Sequence, residues 1–95
     1  MNSIVNLSEA FSMALHGMAM IAAAPEGSPV TAHAIADRLG VSENHLSKVL
    51  ARLTRSRLLK SARGPGGGFA LGRPAASIRL LDVYESVEGP LTIND

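Results

Sequence analysis

Apolar residues recur at helical spacing at Leu7, Phe11, Ala14, Leu15, Met18 and Ala22, and Pro25-Glu26-Gly27-Ser28-Pro29 then breaks the run. The pattern predicts a first helix from about Ser8 to Ala24. Its other side carries Ala10, Met13, Gly17 and Met20, so few positions are polar. A helix apolar nearly all round needs more than one packing partner, and a subunit interface could supply the second.

Thr31 is placed to cap a helix running to Leu39, with Gly40 as its stop. Ser42 is placed to cap the next, from Glu43 to about Arg55. Between them the demands are specific. Ala36 is small enough for two helices to approach closely, Gly40 can take a positive φ, and Ile35, Leu39, Val41, Leu46 and Val49 form an apolar wedge. That is a helix-turn-helix pattern. Leu58 to Arg63 then alternates weakly, as does Phe69 to Arg73 beyond a run of glycines, which predicts a hairpin. A last helix is expected from about Leu80 to Glu88, with Leu80, Leu81, Tyr84 and Val87 on its inward face and Gly89-Pro90 as its stop. With no internal repeat, residues 1–95 read as one domain, mainly α with a small β-hairpin: a winged helix-turn-helix.

Length and composition agree with this. A chain of 95 residues can bury about 60 to 65% of the surface its unfolded form exposes, enough for one core. An apolar content of 46% against 18% charged residues excludes a disordered chain. Only three aromatic residues are present, so a single-strand-binding surface built on base stacking is not expected. The segment Met13 to Ala24, MALHGMAMIAAA, resembles the apolar part of a signal peptide. It has no basic lead, since the first Lys or Arg is Arg38, and it is too short to span a bilayer. A cytoplasmic protein without membrane contact is expected.

Charge sharpens the functional reading. The net charge is +1, yet Lys48, Arg52, Arg55, Arg57, Lys60, Arg63, Arg73 and Arg79 fall in a window, Asn44 to Arg79, that holds no Asp or Glu. Such a stripe suits a polyanion. On the helix from Glu43, Leu46, Val49, Leu50 and Leu53 are expected to face inward, leaving Asn44, His45, Ser47, Lys48, Arg52 and Arg55 outside. Short polar groups stand at its start, where base edges are met, and cations follow where phosphates are met. Glu43 stands at the mouth of this surface. It complements the positive end of the helix dipole, and it could also accept from a cytosine amino group or repel unsuitable sites.

The stretch Arg63-Gly64-Pro65-Gly66-Gly67-Gly68-Phe69 lacks the Gly-Lys-Ser/Thr and the following helix that a phosphate-binding loop or a dinucleotide fingerprint requires. A hairpin tip fits better, with a backbone free to approach a ligand closely. A guanidinium at its base, Arg63, can enter a narrow A/T-rich minor groove. The expected DNA-binding set is therefore Ser42, Glu43, Asn44, His45, Ser47, Lys48 and Arg52 on one element, and Arg63, Gly64, Pro65, Gly66 and Gly67 on the other.

The runs Ile35-Ala36-Asp37-Arg38-Leu39-Gly40-Val41-Ser42, Leu46-Ser47-Lys48-Val49-Leu50-Ala51-Arg52-Leu53, Arg63-Gly64-Pro65-Gly66-Gly67-Gly68-Phe69 and Leu81-Asp82-Val83-Tyr84-Glu85-Ser86-Val87-Glu88-Gly89 together closely resemble the Rrf-two family of bacterial winged-helix transcription regulators. The resemblance covers nearly the whole chain, and the glycine-rich wing ahead of an aromatic residue is its most specific part. It implies a homodimer on a pseudo-palindromic duplex operator, a repressor acting by occlusion, the helix from Glu43 in the major groove and Arg63 in the minor groove. Several members of that family sense iron-sulfur status, nitric oxide or redox state through a cluster. Cluster-bearing members place three cysteines beyond the point where these residues stop, followed by a long dimerising helix.

This chain contains no cysteine, so no cofactor is expected within it, and an iron-sulfur cluster would require cysteines from a longer native chain. It is thus either a piece of a longer regulator or a short, cluster-free member, and an end at Thr92-Ile93-Asn94-Asp95 reads as a cut ahead of the sensor loop. Ser8, Ser12 and His16 share a face at spacing four, but serine is a poor iron ligand and no thiolate completes the set, so no metal site is expected. No nucleophile elbow and no His-x-x-x-His pair is present, and no enzyme is expected. The rival from another class is a winged-helix module that docks a protein through its first and last helices, its basic face merely solvated.

Overall fold

A computed structural model describes residues 8–64 and 66–90. Its elements are α1 (Glu9–Ala23), α2 (Ala32–Leu39), α3 (Glu43–Arg55), β1 (Leu59–Ala62), β2 (Gly68–Leu71), a short 3-10 turn (Ala75–Ser77) and α4 (Leu80–Glu88).

Three helix starts are set by hydroxyl caps, at Thr31 and Ser42 as expected, and also at Ser8, where the helix itself was expected to begin. The side chains of Ser8, Thr31 and Ser42 accept from the backbone N–H groups of Phe11, Ala34 and His45 at 3.0, 3.0 and 3.1 Å. Each satisfies a donor that the helix itself cannot. α4 begins differently: Asp82 Oδ2 accepts from the Arg79 backbone N–H at 2.8 Å. The Asp82 carboxylate also pairs with the guanidinium groups of Arg79 and Arg73, at 3.2 and 3.1 Å. The Arg79 N–H first, and then the Arg79 guanidinium, hold the Asp82 carboxyl below the usual carboxylate range.

The core lies where α1, α3 and α4 meet over the hairpin. Ile35, Leu46, Leu50, Leu53, Leu58 and Leu59 are its fully buried members. Gly17 of α1 lets that helix lie close to α2 and α3, since a Cβ there would stand 3.7 Å from Ile35 and 3.8 Å from Leu50. Phe11 and Tyr84 join α1 to α4 edge to face, with ring centroids 5.4 Å apart.

The hairpin is antiparallel, pairing Leu59 with Leu71 and Ser61 with Phe69. Val30 adds one further rung: Val30 and Phe69 exchange backbone hydrogen bonds of 2.9 and 2.8 Å, so the chain entering α2 runs beside β2. A one-residue pairing has no period in the sequence, and neither it nor the 3-10 turn was expected.

Two expectations about helix faces need correction. In α4 the buried residues are Val83 and Val87, with Tyr84 half-buried, whereas Leu80 and Leu81 are 65% and 42% exposed. Leu80 shares an azimuth with Val87 but sits in the first turn, before the helix reaches the core, and Leu81 is turned a further 100° away. In α1 the buried arc is Phe11, Met13, Ala14, Gly17, Met18 and Ile21, while Ala22 is exposed and Leu7 lies outside the described residues. The arc is wide because α2, α3, α4 and β2 all pack against α1. Several elements of the chain thus share this helix, while Ala19, Ala22 and Ala23 stay exposed.

Candidate nucleic-acid interface

The turn between α2 and α3 is closed by Gly40 at φ 70°, ψ 35°, a left-handed conformation that glycine takes without strain. The N–H groups of Gly40 and Val41 both donate to the Ala36 carbonyl, at 2.8 and 3.1 Å. Ala36 is buried at this junction, and Ile35 and Leu46 close the wedge.

α3 buries Leu46, Val49, Leu50 and Leu53 against the core. The opposite row is Asn44, Lys48, Ala51 and Arg55, all exposed, with half-buried Ser47 beside it and His45 and Arg52 on one flank. Ala51 was not singled out from sequence because it carries no polar group. At the centre of the outward row it offers a methyl group, of the kind that contacts a thymine methyl, and lets the helix lie close to a surface.

Glu43 and Arg52 have partners. His33 Nδ1 donates to Glu43 Oε1 at 3.0 Å, joining the starts of α2 and α3 on an exposed surface. That hydrogen bond, reinforced by the Glu43 charge, raises the His33 pKa above its ordinary value. Arg52 Nη1 donates to the Val87 carbonyl at the end of α4, at 2.8 Å.

The wing tip has few constraints. Gly64, Gly66, Gly67 and Gly68 all have positive φ, and a Gly67 N–H to Gly64 carbonyl bond of 3.0 Å is the tip's internal tie. A Cβ at Gly64 or Gly66 would meet nothing within 4 Å. Arg63 stands exposed at the base of this loop. Pro65, part of the expected DNA-binding set, lies outside the described residues.

Two cations of the basic window, Arg73 and Arg79, are neutralised by Asp82. Of this window, among the described residues, Lys48, Arg52, Arg55, Arg57, Lys60 and Arg63 have no acidic partner, the Arg52 bond being to a backbone carbonyl, so the window's unneutralised positive charge is concentrated on α3, the turn after it and the hairpin. Arg57 and Lys60 widen the set expected from sequence. Arg57 takes a left-handed conformation, φ 67°, in the tight turn from α3 into β1.

The chain has no cysteine, and among the described residues no cluster of three His, Asp or Glu side chains could hold a metal ion. His16 Nδ1 donates to the Ser12 carbonyl at 2.8 Å, and Ser8 is spent on capping α1 and on a hydrogen bond to the Glu88 carboxylate. No helix among the described residues is long and apolar enough to cross a membrane.

Four helices with a two-stranded antiparallel wing, and a helix-turn-helix whose second helix turns a polar and cationic face outward, define a winged helix-turn-helix DNA-binding protein. The family model described as Rrf2, iron-dependent transcriptional regulator, matches residues 7–95. The fold is similar to that of CymR (YrzC), the global cysteine regulator of B. subtilis, with a TM-score of 0.88 and 27% identity over 97% of this chain and 71% of that one. It is similar also to T. potens IscR, with a TM-score of 0.83 and 30% identity over 97% of this chain and 67% of that one. For Staphylococcus aureus CymR the TM-score is 0.81 and the identity 28%, over 90% of this chain and 70% of that one. The chain belongs to the Rrf2 family of transcriptional regulators, as its glycine-rich wing indicated.

Proposed function

We propose that residues 1–95 form a domain that reads a specific duplex operator and represses transcription by occupying it. α3 enters the major groove. Asn44 and His45, in its exposed first turn, meet base edges, Ser42 and Ser47 add hydroxyl contacts, and Lys48 meets phosphate. Glu43 sets a penalty against sites that offer it no donor. Arg63, carried by the slim glycine tip of Gly64, Gly66 and Gly67, enters the adjacent minor groove. Two copies of the chain on a pseudo-palindrome would double this contact set.

The observation that carries this reading is the acid-free row from Asn44 along α3 to the wing: six cations without acidic partners among the described residues, arranged around a polar first turn. Fluorescence anisotropy on a duplex selected from a random library, against a scrambled duplex of equal composition, tests it. The Lys48→Ala protein should bind both more weakly to a similar extent, and the slope of log affinity on log salt should fall by about one unit. Asn44→Ala and His45→Ala should change which base is preferred. Equal affinity of the unaltered chain for the two duplexes at matched salt contradicts specific reading.

A further inference from the structure

Arg52 stands one helical turn beyond Lys48 and belongs, by residue type, with the phosphate contacts. Its hydrogen bond says otherwise. On α3 it stands exposed on the flank of the outward row, about 40° from Lys48, 80° from Asn44 and 100° from Ala51. Its guanidinium turns back across the α3–α4 junction, where Nη1 donates to the Val87 carbonyl at 2.8 Å between residues 35 apart in sequence.

The acceptor is in need of such a donor. The last four carbonyls of a helix have no partner within it, and they carry the negative end of the helix dipole. In α4 the Gly89 N–H serves the Glu85 carbonyl, and the helix has no basic residue in its own last turn. Arg52 supplies the missing cation from another helix. The anchor is firm at both ends, because Val87 is a core residue, 5% exposed, and Arg52 is followed directly by fully buried Leu53. A charge-assisted bond between two such points fixes how far α3 can roll about its own axis, and so where Asn44 and Lys48 point.

We propose that Arg52 is a positioning residue: it ties α3 to the end of α4 and sets the orientation of the reading row, in place of anchoring a phosphate. The proposal rests on the reading of α3 as the major-groove helix, and it separates two quantities that a phosphate contact would move together. Loss of a phosphate contact weakens every duplex alike and flattens the salt dependence. Loss of a positioning bond weakens the operator selectively, because only base contacts depend on the roll of the helix.

The experiment titrates the full 95-residue chain and its Arg52→Ala, Arg52→Lys and Lys48→Ala variants with a selected operator and a scrambled duplex across a salt series, well below the thermal midpoint of each protein. For Arg52→Ala we expect operator affinity to drop about tenfold, the scale of one charge-assisted hydrogen bond. Scrambled-duplex affinity and the salt slope should stay at the unaltered values. Arg52→Lys, which keeps a cationic donor beside the same carbonyl, should restore part of the discrimination. Lys48→Ala serves as the phosphate benchmark. An Arg52→Ala protein that loses affinity for both duplexes equally, with the slope lowered by about one unit, is a lost phosphate anchor and overturns the proposal. So does one that loses nothing. If the unaltered chain itself fails to discriminate, the reading of α3 falls first and takes the positioning role with it.

Discussion

α3 and the wing tip, the two parts of the proposed DNA-reading surface, are held in opposite ways. α3 packs against α1, α2, α4 and β1, buries four side chains, is capped by Ser42 and is tied by Arg52 to the end of α4. In the tip, among the described residues, the Gly67 N–H donates to the Gly64 carbonyl, and side-chain space at Gly64 and Gly66 is open. The first is pre-organised, so the base contacts proposed for it would need little ordering on binding. The second is a slim, adaptable strip that can follow groove width, which is a property of DNA shape more than of individual bases. The two proposed modes of reading would thus map onto two degrees of constraint.

The comparison can be broken first at the scaffold. Leu50→Ala removes a fully buried side chain that faces the α1 glycine, and it should cost about 2–5 kcal/mol of folding stability in urea denaturation, with DNA binding lost only in proportion to unfolded protein. A loss below that range would mean the α1–α3 junction relaxes freely and does not hold α3 rigidly.

The two ends of the glycine run should separate next. Gly68 sits at φ 125° with Val30 backbone atoms 3.0 Å from where a Cβ would stand, and Gly68→Ala should cost about 1–3 kcal/mol through backbone strain and a weakened Val30–Phe69 rung. Gly66, at φ 87° in open space, should cost only about 1 kcal/mol on the same change. Equal costs would show that the tip is as constrained as the strand.

Arg63→Ala acts on binding alone. It should weaken operator affinity by about 1–3 kcal/mol, most at A/T-rich flanks, and leave the thermal midpoint unchanged because the side chain is exposed. An early-melting protein with normal DNA affinity would make Arg63 a structural residue.

The smallest effect concerns the exposed His33–Glu43 pair. Because the pair raises the His33 pKa, its contribution to stability is full below the ordinary histidine value and fades as pH rises through the raised one. His33→Ala should therefore lower the melting temperature slightly at about pH 5.5 and not at about pH 8. A loss of equal size at both values would mean that packing, and not charge, joins α2 to α3 there.

What could be read directly from the chain was local. Thr31, Ser42 and Gly40 act within four or five residues of themselves, and the expected helix limits at Thr31–Gly40 and Ser42–Arg55 match the structure. What could not be read depends on distant partners. The Val30 rung, the Arg52–Val87 bond and the His33–Glu43 pair join positions 39, 35 and 10 residues apart, and none leaves a periodic trace. The inward face of α4 was misread because Leu80 and Leu81 are larger and more apolar than Val83, while burial is decided by where the helix meets α1 and α3. Of the DNA-facing set, the row on α3 was legible from amphipathicity, but the flank position and occupied guanidinium of Arg52 were not.

The most direct test of reading by α3 and the wing together is selection from a random duplex library followed by titration of the winning and scrambled sequences over a salt series. We expect a recurrent A/T-flanked motif whose affinity exceeds that of the scrambled duplex by about 10³-fold or more, with log affinity of both falling linearly in log salt. Enrichment of no motif, with equal and steeply salt-dependent binding to every duplex, would show a basic surface that holds DNA without reading it.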